Sequence, residues 1–243
     1  MIFFHGGHAA PRPRSLSLTG CVPTFTQAVI AALGLLALGL AGGCAVASSL
    51  TDPVARGPFF EVKNFTGVSR LPAALRRVVL LPVAGTAGVP VETLASFDQV
   101  MLAELQHVSR FEVVVADPTA MERLFARQRL LSSDTLPPEF LSLISREFGA
   151  DGVMFVDVTA LSAYQPLVLG LRIKLASADG TILWAFDTLF SAGDPAVANA
   201  ARRHDRQRHP SADPGDTSYT ILRSPARFAD YAAAAAFATL PPR

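Results

Sequence analysis

The segment Val78-Val79-Leu80-Leu81-Pro82 decides the fold class of this 243-residue chain. Its first four residues are all aliphatic, which is typical of a strand buried on both faces of a sheet. The following segment, 91–108, is predicted to be a helix, because apolar residues recur at intervals of three and four at Leu94, Phe97, Met101, Leu105 and Val108. A buried strand followed by an amphipathic helix indicates an α/β domain.

The alternation of strands and helices continues along the chain. Phe111–Val115 and Val153–Val158 are predicted strands. Between them lie two predicted helices, the first capped by Asp117 and the second opened by Pro138 and ended by Gly149. This order predicts a parallel sheet with right-handed crossovers.

The pattern changes after residue 166. Leu167–Ala176 alternates in part between apolar and polar side chains, Asp179-Gly180 is a hairpin signal, and Thr181–Phe190 is the partner strand. Two more helices are predicted, opened by Asp194-Pro195 and by Ser224-Pro225. The C-terminal part therefore adds an antiparallel hairpin and two helices to the parallel units.

Residues 71–243 are expected to form one α/β domain with a mixed sheet: parallel βαβ units, a late antiparallel hairpin and flanking helices. Ala45–Pro58 contains Ser, Pro and Gly and few large apolar residues, so residues 44–70 are expected to be a tether. Residues 1–43 are expected to be an N-terminal signal segment.

This signal segment has the three parts of a secretory signal. Two arginines before residue 15 supply positive charge, Ala28–Leu40 is a 13-residue apolar centre, and Ala41-Gly42-Gly43 are small. Together with Cys44 they resemble the bacterial lipobox, with Ala41 where that motif prefers Leu. The resemblance implies cleavage between Gly43 and Cys44 and acylation of Cys44, and two or more acyl chains hold a protein stably on a membrane.

Two alternatives to a lipid anchor are open. Phe25–Ala47 is a run of 23 uncharged residues. At roughly 1.5 Å per residue it makes about 35 Å of helix, enough to cross a hydrocarbon core of about 30 Å as an uncleaved anchor. Cleavage without acylation would instead release a soluble protein. For the lipoprotein we expect the outer membrane, facing the periplasm, with the inner membrane as the alternative.

Charge and cysteine content argue against two classes of site. Residues 1–43 contain two arginines and no acid, so the remaining chain has 19 basic and 20 acidic residues. This balance provides no general attraction to nucleic acid. Cys21 lies in the signal segment and Cys44 is the expected lipidation site, so no cysteine remains for a disulfide or a thiolate metal site.

Four segments resemble known envelope proteins: VVLLPV at 78–83, SRFEVVVADPTAMERL at 109–124, EFGADGVMFVDVTAL at 147–161 and LRIKLASADGTILWAF at 171–186. They are similar to the domain of the curli-secretion lipoprotein, the amino-terminal domain of the Tol-system protein TolB and the lipoprotein activator of penicillin-binding proteins. The resemblance implies a mixed α/β sandwich and a binding or assembly role with an envelope protein. It does not imply catalysis or a cofactor.

Few side chains suggest chemistry. Asp157 lies inside an apolar strand, where a carboxylate is either a general base with a raised pKa or, more often, an acceptor of backbone hydrogen bonds. His204 and His209 are five residues apart, which misses the one-turn spacing of metal ligands, so a solvated helix end is expected there. We assign no catalytic, cofactor-binding or metal-binding residue.

The remaining motifs are expected to be structural. Arg202–Arg208 is either a contact for anionic lipid headgroups or an ordinary charged helix end. Gly85–Gly88 is expected to be a turn, His107 to lie on the surface, and Trp184 to lie in the core unless it is an exposed partner contact.

The leading hypothesis for function is a non-enzymatic, lipid-anchored accessory, scaffold or regulator of an envelope protein partner. An oligomeric export or assembly component of the outer membrane is the alternative. A hydrolase that uses Asp157 or His204 is less favoured, and the oligomeric state is left open.

Overall fold

The computed structural model describes residues 53–209 and 220–243, which belong to one compact unit. Seven strands and six helices form over these residues, which confirms the predicted mixed α/β domain. The strands are β1 (Phe65–Gly67), β2 (Arg77–Leu80), β3 (Ala84–Gly85), β4 (Glu112–Val115), β5 (Gly152–Ser162), β6 (Val168–Ser177) and β7 (Ile182–Ser191). The helices are α1 (Pro53–Arg56), α2 (Val91–Val108), α3 (Pro118–Phe125), α4 (Phe140–Phe148), α5 (Pro195–Arg208) and α6 (Pro225–Phe237).

The strands form one sheet in the order β1-β7-β6-β5-β2-β4, and β3 pairs with β5 beyond the end of β2. β2 runs parallel to both of its neighbours, as two βαβ units require. Each strand is antiparallel to the next in the series β5-β6-β7-β1, so the predicted late hairpin, formed by β6 and β7, is confirmed. Gly180 forms its turn with a φ of +90°, which glycine adopts without strain.

Helices cover the two faces of the sheet unequally. α2, α5 and α6 pack on one face, with Phe97 and Trp184 in that core. On the second face, Met121 of α3 and Phe140 of α4 pack over β2, β4 and the start of β5. Apart from Ala176, which is buried in the second core, the side chains of β6, β7 and β1 that point to this second face stay half-buried or exposed. We call them the open half: Thr66, Arg172, Lys174, Ala185, Asp187 and Leu189.

Local signals located several element ends. α2 spans the predicted residues 91–108. The Asp117 side chain accepts the N–H of Ala120 at 2.7 Å, and Asp194 accepts the N–H of Ala196 at 2.8 Å. Each cap satisfies an N–H group that has no partner within its own helix, so sequence signals of this kind predict where helices begin.

The folded domain begins earlier than residue 71. Residues 53–70 are predicted as part of the tether, yet they contain β1, which pairs with β7, and α1, which contacts α5. The N–H of Phe60 donates to the carbonyl of Ala196 at 3.1 Å, and its ring meets Phe190 edge-on. The tether prediction is therefore wrong for residues 53–70, because a three-residue strand is too short to show alternation.

Candidate functional site

Cys44 and the predicted cleavage position after Gly43 lie outside the described residues, so lipidation and cleavage stay predictions. The first described element, α1, begins nine residues after Cys44, at Pro53. At roughly 3.3–3.6 Å per residue, that length of chain reaches at most about 30 Å. Within the described parts of the chain, no helix is long and apolar enough to cross a membrane.

Asp157 lies in the middle of β5 with 1% of its surface exposed. The N–H of Ser132 lies 3.0 and 3.1 Å from the two carboxylate oxygens, and the Ser132 hydroxyl donates at 2.6 Å. Burial raises the pKa of Asp157, while hydrogen bonds from Ser132 and the positive charges of Arg172 and Lys174 act in the opposite direction. The carboxylate therefore accepts backbone hydrogen bonds, the more common of its two expected roles.

Ser132 belongs to residues 126–139, which join α3 to α4 and which we call the strap. The Nζ atom of Lys174 donates to the carbonyl of Ser132 at 3.1 Å. Leu130, only 3% exposed, packs in the core of the second face. The strap is thus held by polar contacts with β5 and β6 and by an apolar contact with the core.

Arg129 anchors the other part of the strap. Its guanidinium donates to the carbonyl of Val83 at 2.6 Å and to the two oxygens of Asp98 at 2.8 and 3.1 Å. Asp98 also accepts the N–H of Val83 at 2.7 Å. Because Asp98 is on α2 and Val83 follows β2, Arg129 connects the strap to the C-terminal end of β2 and to the helix on the opposite face of the sheet.

The strap lies where open α/β sheets usually bind ligands. In such sheets the ligand crevice is beyond the carboxyl ends of two neighbouring strands whose connections leave on opposite faces. Those strands are β2, whose connection contains α2 on the first face, and β4, whose connection contains α3 and α4 on the second face. Arg129 contacts Val83, just beyond β2, and Ser132 contacts Asp157, which pairs with Ala84 of β3. The side chain of Arg129 therefore lies at this crevice, and Ser132 lies beside it over β5.

A row of charges crosses the open half. Asp157 on β5 lies opposite Arg172 on β6, and Arg172 lies opposite Asp187 on β7. Arg172 donates through Nε to Asp187 at 2.8 Å. A cleft of about 280 Å³ is lined by Arg172 and Asp187 of this row and by Phe65 of β1. One register step away, the Leu189 side chain is 58% exposed. One ion pair thus lies beside exposed apolar side chains, a mixture that protein-binding surfaces also contain.

His204 packs between helices, so the predicted solvated position is wrong for it. Its Nε2 atom lies 3.0 Å from a carboxylate oxygen of Asp230 on α6, and 16% of its side chain is exposed. Its ring also meets Tyr231 edge-on. The hydrogen bond from His204 lowers the pKa of Asp230. The pair therefore joins α5 to α6.

Further charges near the end of α5 are paired inside the helical layer. Arg208 donates to Glu104 of α2 at 2.5 Å, and Asp205 lies 3.2 Å from His209 and 3.6 Å from Arg227. Asp205 is buried, whereas the His209 side chain is 49% exposed, so the solvated position holds only for His209. Among residues 53–209 and 220–243, no group of three or more His, Cys, Asp or Glu side chains is arranged to hold a metal ion.

The basic cluster Arg202–Arg208 is tied to the domain along much of its length. The Arg203 guanidinium lies 4.6 Å from the ring centre of Phe59, in a cation–π contact. Arg202 and Arg206 also have interaction partners. This pairing matches the helix-end interpretation of the cluster.

The other singled-out residues lie as expected. Trp184 is fully buried and donates through Nε1 to the hydroxyl of Thr239 at 3.2 Å, which confirms the core position. His107 is exposed. Gly85 ends β3, and Gly88 lies in the turn that follows, in which the N–H of Val89 donates to the carbonyl of Thr86. No phosphate-binding role is required to explain these glycines.

Sequence reasoning missed Arg129 and Ser132 of the strap and the paired acids Glu104 and Asp230. The strap is predicted as a break between helices, and Ser132 is 25 positions from Asp157. Glu104 is predicted to lie off the apolar face of α2, which usually means solvent. Its burial depends on α5 and α6, and no local pattern reports their position.

No protein-family model and no curated protein matches the sequence. Solved structures are similar at low sequence identity. PelC from Paraburkholderia phytofirmans, described as a dodecamer, is 14% identical and covers 74% of this chain and 96% of its own, with a TM-score of 0.44.

Two further solved structures are similar over a shorter part of the chain. Lipoprotein GNA1162 from Neisseria meningitidis is 17% identical and covers 47% of this chain and 79% of its own, with a TM-score of 0.35. The LpoB C-terminal domain from Salmonella enterica is 16% identical and covers 47% of this chain and 82% of its own, with a TM-score of 0.30.

Proposed function

We propose that this protein is a non-enzymatic, lipid-anchored envelope protein that acts as an accessory, scaffold or regulator for a protein partner. One observation carries the proposal: the side chains at the ligand crevice are engaged in holding the strap. Arg129 lies at that crevice, Ser132 lies beside it over β5, and Asp157 binds Ser132. The envelope location rests on the lipobox-like residues before Cys44, and the outer membrane facing the periplasm is the finer form of the proposal.

The position of Asp157 supports a structural rather than a catalytic role. A general base must reach the proton that it removes from a substrate. Asp157 is 1% exposed, and both of its carboxylate oxygens accept hydrogen bonds from Ser132. A substrate would have to displace the strap before it met this carboxylate.

The open half supplies the proposed surface for the partner. The ion pair between Arg172 and Asp187 holds two opposite charges in fixed positions on this surface, which can orient a bound partner. Leu189 adds exposed apolar area. Complementary charges and a central apolar contact are the features that make a protein interface specific.

Photocrosslinking in intact bacterial envelopes tests the partner. A crosslinking amino acid at Leu189, in the open half, is expected to form a discrete adduct with one protein. The same amino acid at Gln99, exposed on α2, is the matched control and is expected to form none. Failure to form an adduct at Leu189, or turnover of a substrate by the purified chain, contradicts the proposal.

Palmitate labelling tests the anchor. Wild-type protein and a Cys21→Ala variant are expected to incorporate labelled palmitate, because Cys21 precedes the predicted cleavage position. Cys44→Ala is expected to lose the label. A wild-type chain that remains in the membrane without label would support the uncleaved transmembrane anchor instead.

One observation favours the alternative of an oligomeric export or assembly component. β4 is at the edge of the sheet and, within the described chain, pairs only with β2. Val115 on this strand is 46% exposed. A free strand edge can pair with the same edge of a second copy. Native mass spectrometry distinguishes the two functions, since a strict monomer contradicts the oligomeric alternative. If an oligomer is observed, Val113→Pro on β4 is expected to dissociate it.

A further inference from the structure

A cleft of about 470 Å³ opens at the end of the sheet where β5 begins. It lies between residues 72–75, the C-terminal end of α4 and the turn from β6 to β7. Its apolar wall is formed by Pro72, Leu75, Ala150, Ala178 and Leu183. Leu75 and Leu183 belong to the core, so the wall is held in place by packing. The volume is within the range of roughly 300–1,000 Å³ that is usual for binding pockets.

Two carboxylates, Asp151 and Asp179, line the same cleft. The N–H groups of residues 76–77 donate to Asp151 at 2.9 and 3.0 Å, and these hydrogen bonds lower its pKa. The Ser177 hydroxyl and the N–H of Thr181 donate to Asp179 and lower its pKa in the same way. Both groups are therefore ionised at neutral pH and held in position.

The positive charge that would balance these carboxylates does not come from the wall of the cleft. Among the described residues, no lysine, arginine or histidine lines it. The positive charges of Arg76 and Arg77, which are outside the lining, act on Asp151, and Arg77 also directs its guanidinium to Glu112, with an Nε–Oε2 distance of 3.0 Å. The cleft thus combines an apolar wall with two negative charges. The complement to this combination is a cation carried on an aliphatic stem.

We propose that this cleft docks a lysine or arginine side chain of the protein partner. The inference rests on the proposed function and names the part of the partner that the domain recognises. The aliphatic stem packs against Leu75 and Leu183, and the cationic group meets Asp151 and Asp179. Ile182, between two lining residues, is 49% exposed and extends the apolar contact past the cleft, which favours a peptide segment over an isolated amine.

Peptide binding to the full-length protein tests the inference. The probe is fluorescently labelled acetyl-leucyl-lysyl-leucine amide, and the matched control replaces lysine by norleucine, which keeps the stem and removes the charge. Anisotropy titration is expected to show saturable binding of the lysyl peptide and affinity for the norleucyl peptide lower by about tenfold or more, since a close charge pair is lost. Equal binding of the two peptides overturns the inference.

Three variants locate the binding. Asp151→Asn combined with Asp179→Asn removes the charges, and Ala74→Phe, at an exposed position in the lining, fills the cleft while both carboxylates remain. Each is expected to weaken binding of the lysyl peptide by about tenfold or more. Glu139→Gln, exposed and outside the lining, is expected to leave it unchanged. Because Ala74→Phe leaves both carboxylates in place, its effect reports whether the peptide occupies the cleft. Unchanged binding by this variant overturns the inference.

The crosslink at Leu189 separates failure of this inference from failure of the proposed function. If the adduct forms but the lysyl peptide does not bind, the cleft is not the docking site and the proposed function stands. If no adduct forms, the proposed function fails whether or not the peptide binds.

Discussion

Ser132 and Asp157 are 25 positions apart in the chain, yet the N–H and the hydroxyl of Ser132 both donate to the Asp157 carboxylate. This contact closes the strap over β5. It also brings the carbonyl of Ser132 to the ammonium group of Lys174. A buried carboxylate that looks like a catalytic candidate in the sequence is therefore a structural clamp in the fold.

Replacing Asp157 is expected to loosen the strap. Asp157→Ala leaves the N–H of Ser132 without its acceptor, which lowers the free energy of unfolding by about 2–4 kcal/mol. Asp157→Asn keeps one acceptor oxygen and is expected to cost about 1 kcal/mol. Urea denaturation measures both values, and proteolysis of the strap gives an independent readout. Equal losses for the two variants would contradict the clamp.

Removal of Arg129 is expected to destabilise the other part of the strap. Its side chain is 13% exposed and makes three hydrogen bonds, so Arg129→Ala leaves Asp98 and the Val83 carbonyl partly unsatisfied at a cost of about 2–3 kcal/mol. Arg129→Lys should restore little, because an ammonium group cannot reproduce the two-pronged contact. Arg127→Ala, whose side chain is 61% exposed, is the control, with a loss of at most about 0.5 kcal/mol by thermal melting.

Gly170 has no room for a side chain. A Cβ atom there would lie 2.4 Å from the hydroxyl oxygen of Thr159 and 3.0 Å from the N atom of Ala160. Gly170→Ala is therefore expected to cost about 1–3 kcal/mol. Adding Thr159→Ala should recover part of that loss, since it removes the closer clash and leaves the backbone contact. A double variant no more stable than Gly170→Ala alone would contradict this explanation.

The free energy of unfolding is expected to fall at acidic pH, because protonation of Asp230 removes its contribution to stability. Its folded-state pKa is lowered by the hydrogen bond from His204, so its contribution is present above the unfolded value, about 3.9, and is lost as pH falls through the folded pKa. Asp230→Asn should cost about 1 kcal/mol at pH 7, and the difference from wild type should vanish near pH 2. Denaturation curves across this range measure it. A difference independent of pH would exclude the linkage.

The contribution of Asp157 to the free energy of unfolding changes with pH in the opposite direction. Burial raises its folded-state pKa, so its contribution is full below the unfolded value and declines as pH rises through the folded pKa. Comparison of wild type with Asp157→Asn should therefore favour wild type more at low pH than at neutral pH.

The sequence predicted the elements whose signals are local. The buried strand that starts at Val78 and the helix Val91–Val108 follow from runs and intervals of apolar residues. The caps at Asp117 and Asp194 follow because an N-cap side chain bonds an N–H only two or three positions away. The residues before Cys44 predict an envelope location through their resemblance to the lipobox, and this location stays a prediction.

The tertiary structure decided which polar side chains meet. Asp157 and Ser132, Arg129 and Asp98, and Glu104 and Arg208 are brought together by the order of the strands and the packing of helices on opposite faces. A hydrogen bond needs its two atoms within about 3 Å, and the separation of residues along the chain carries almost no information on that distance once an intervening element folds back. Element type was therefore legible in the sequence, while the polar contacts of the strap, the open half and the cleft lined by Asp151 and Asp179 came from the fold.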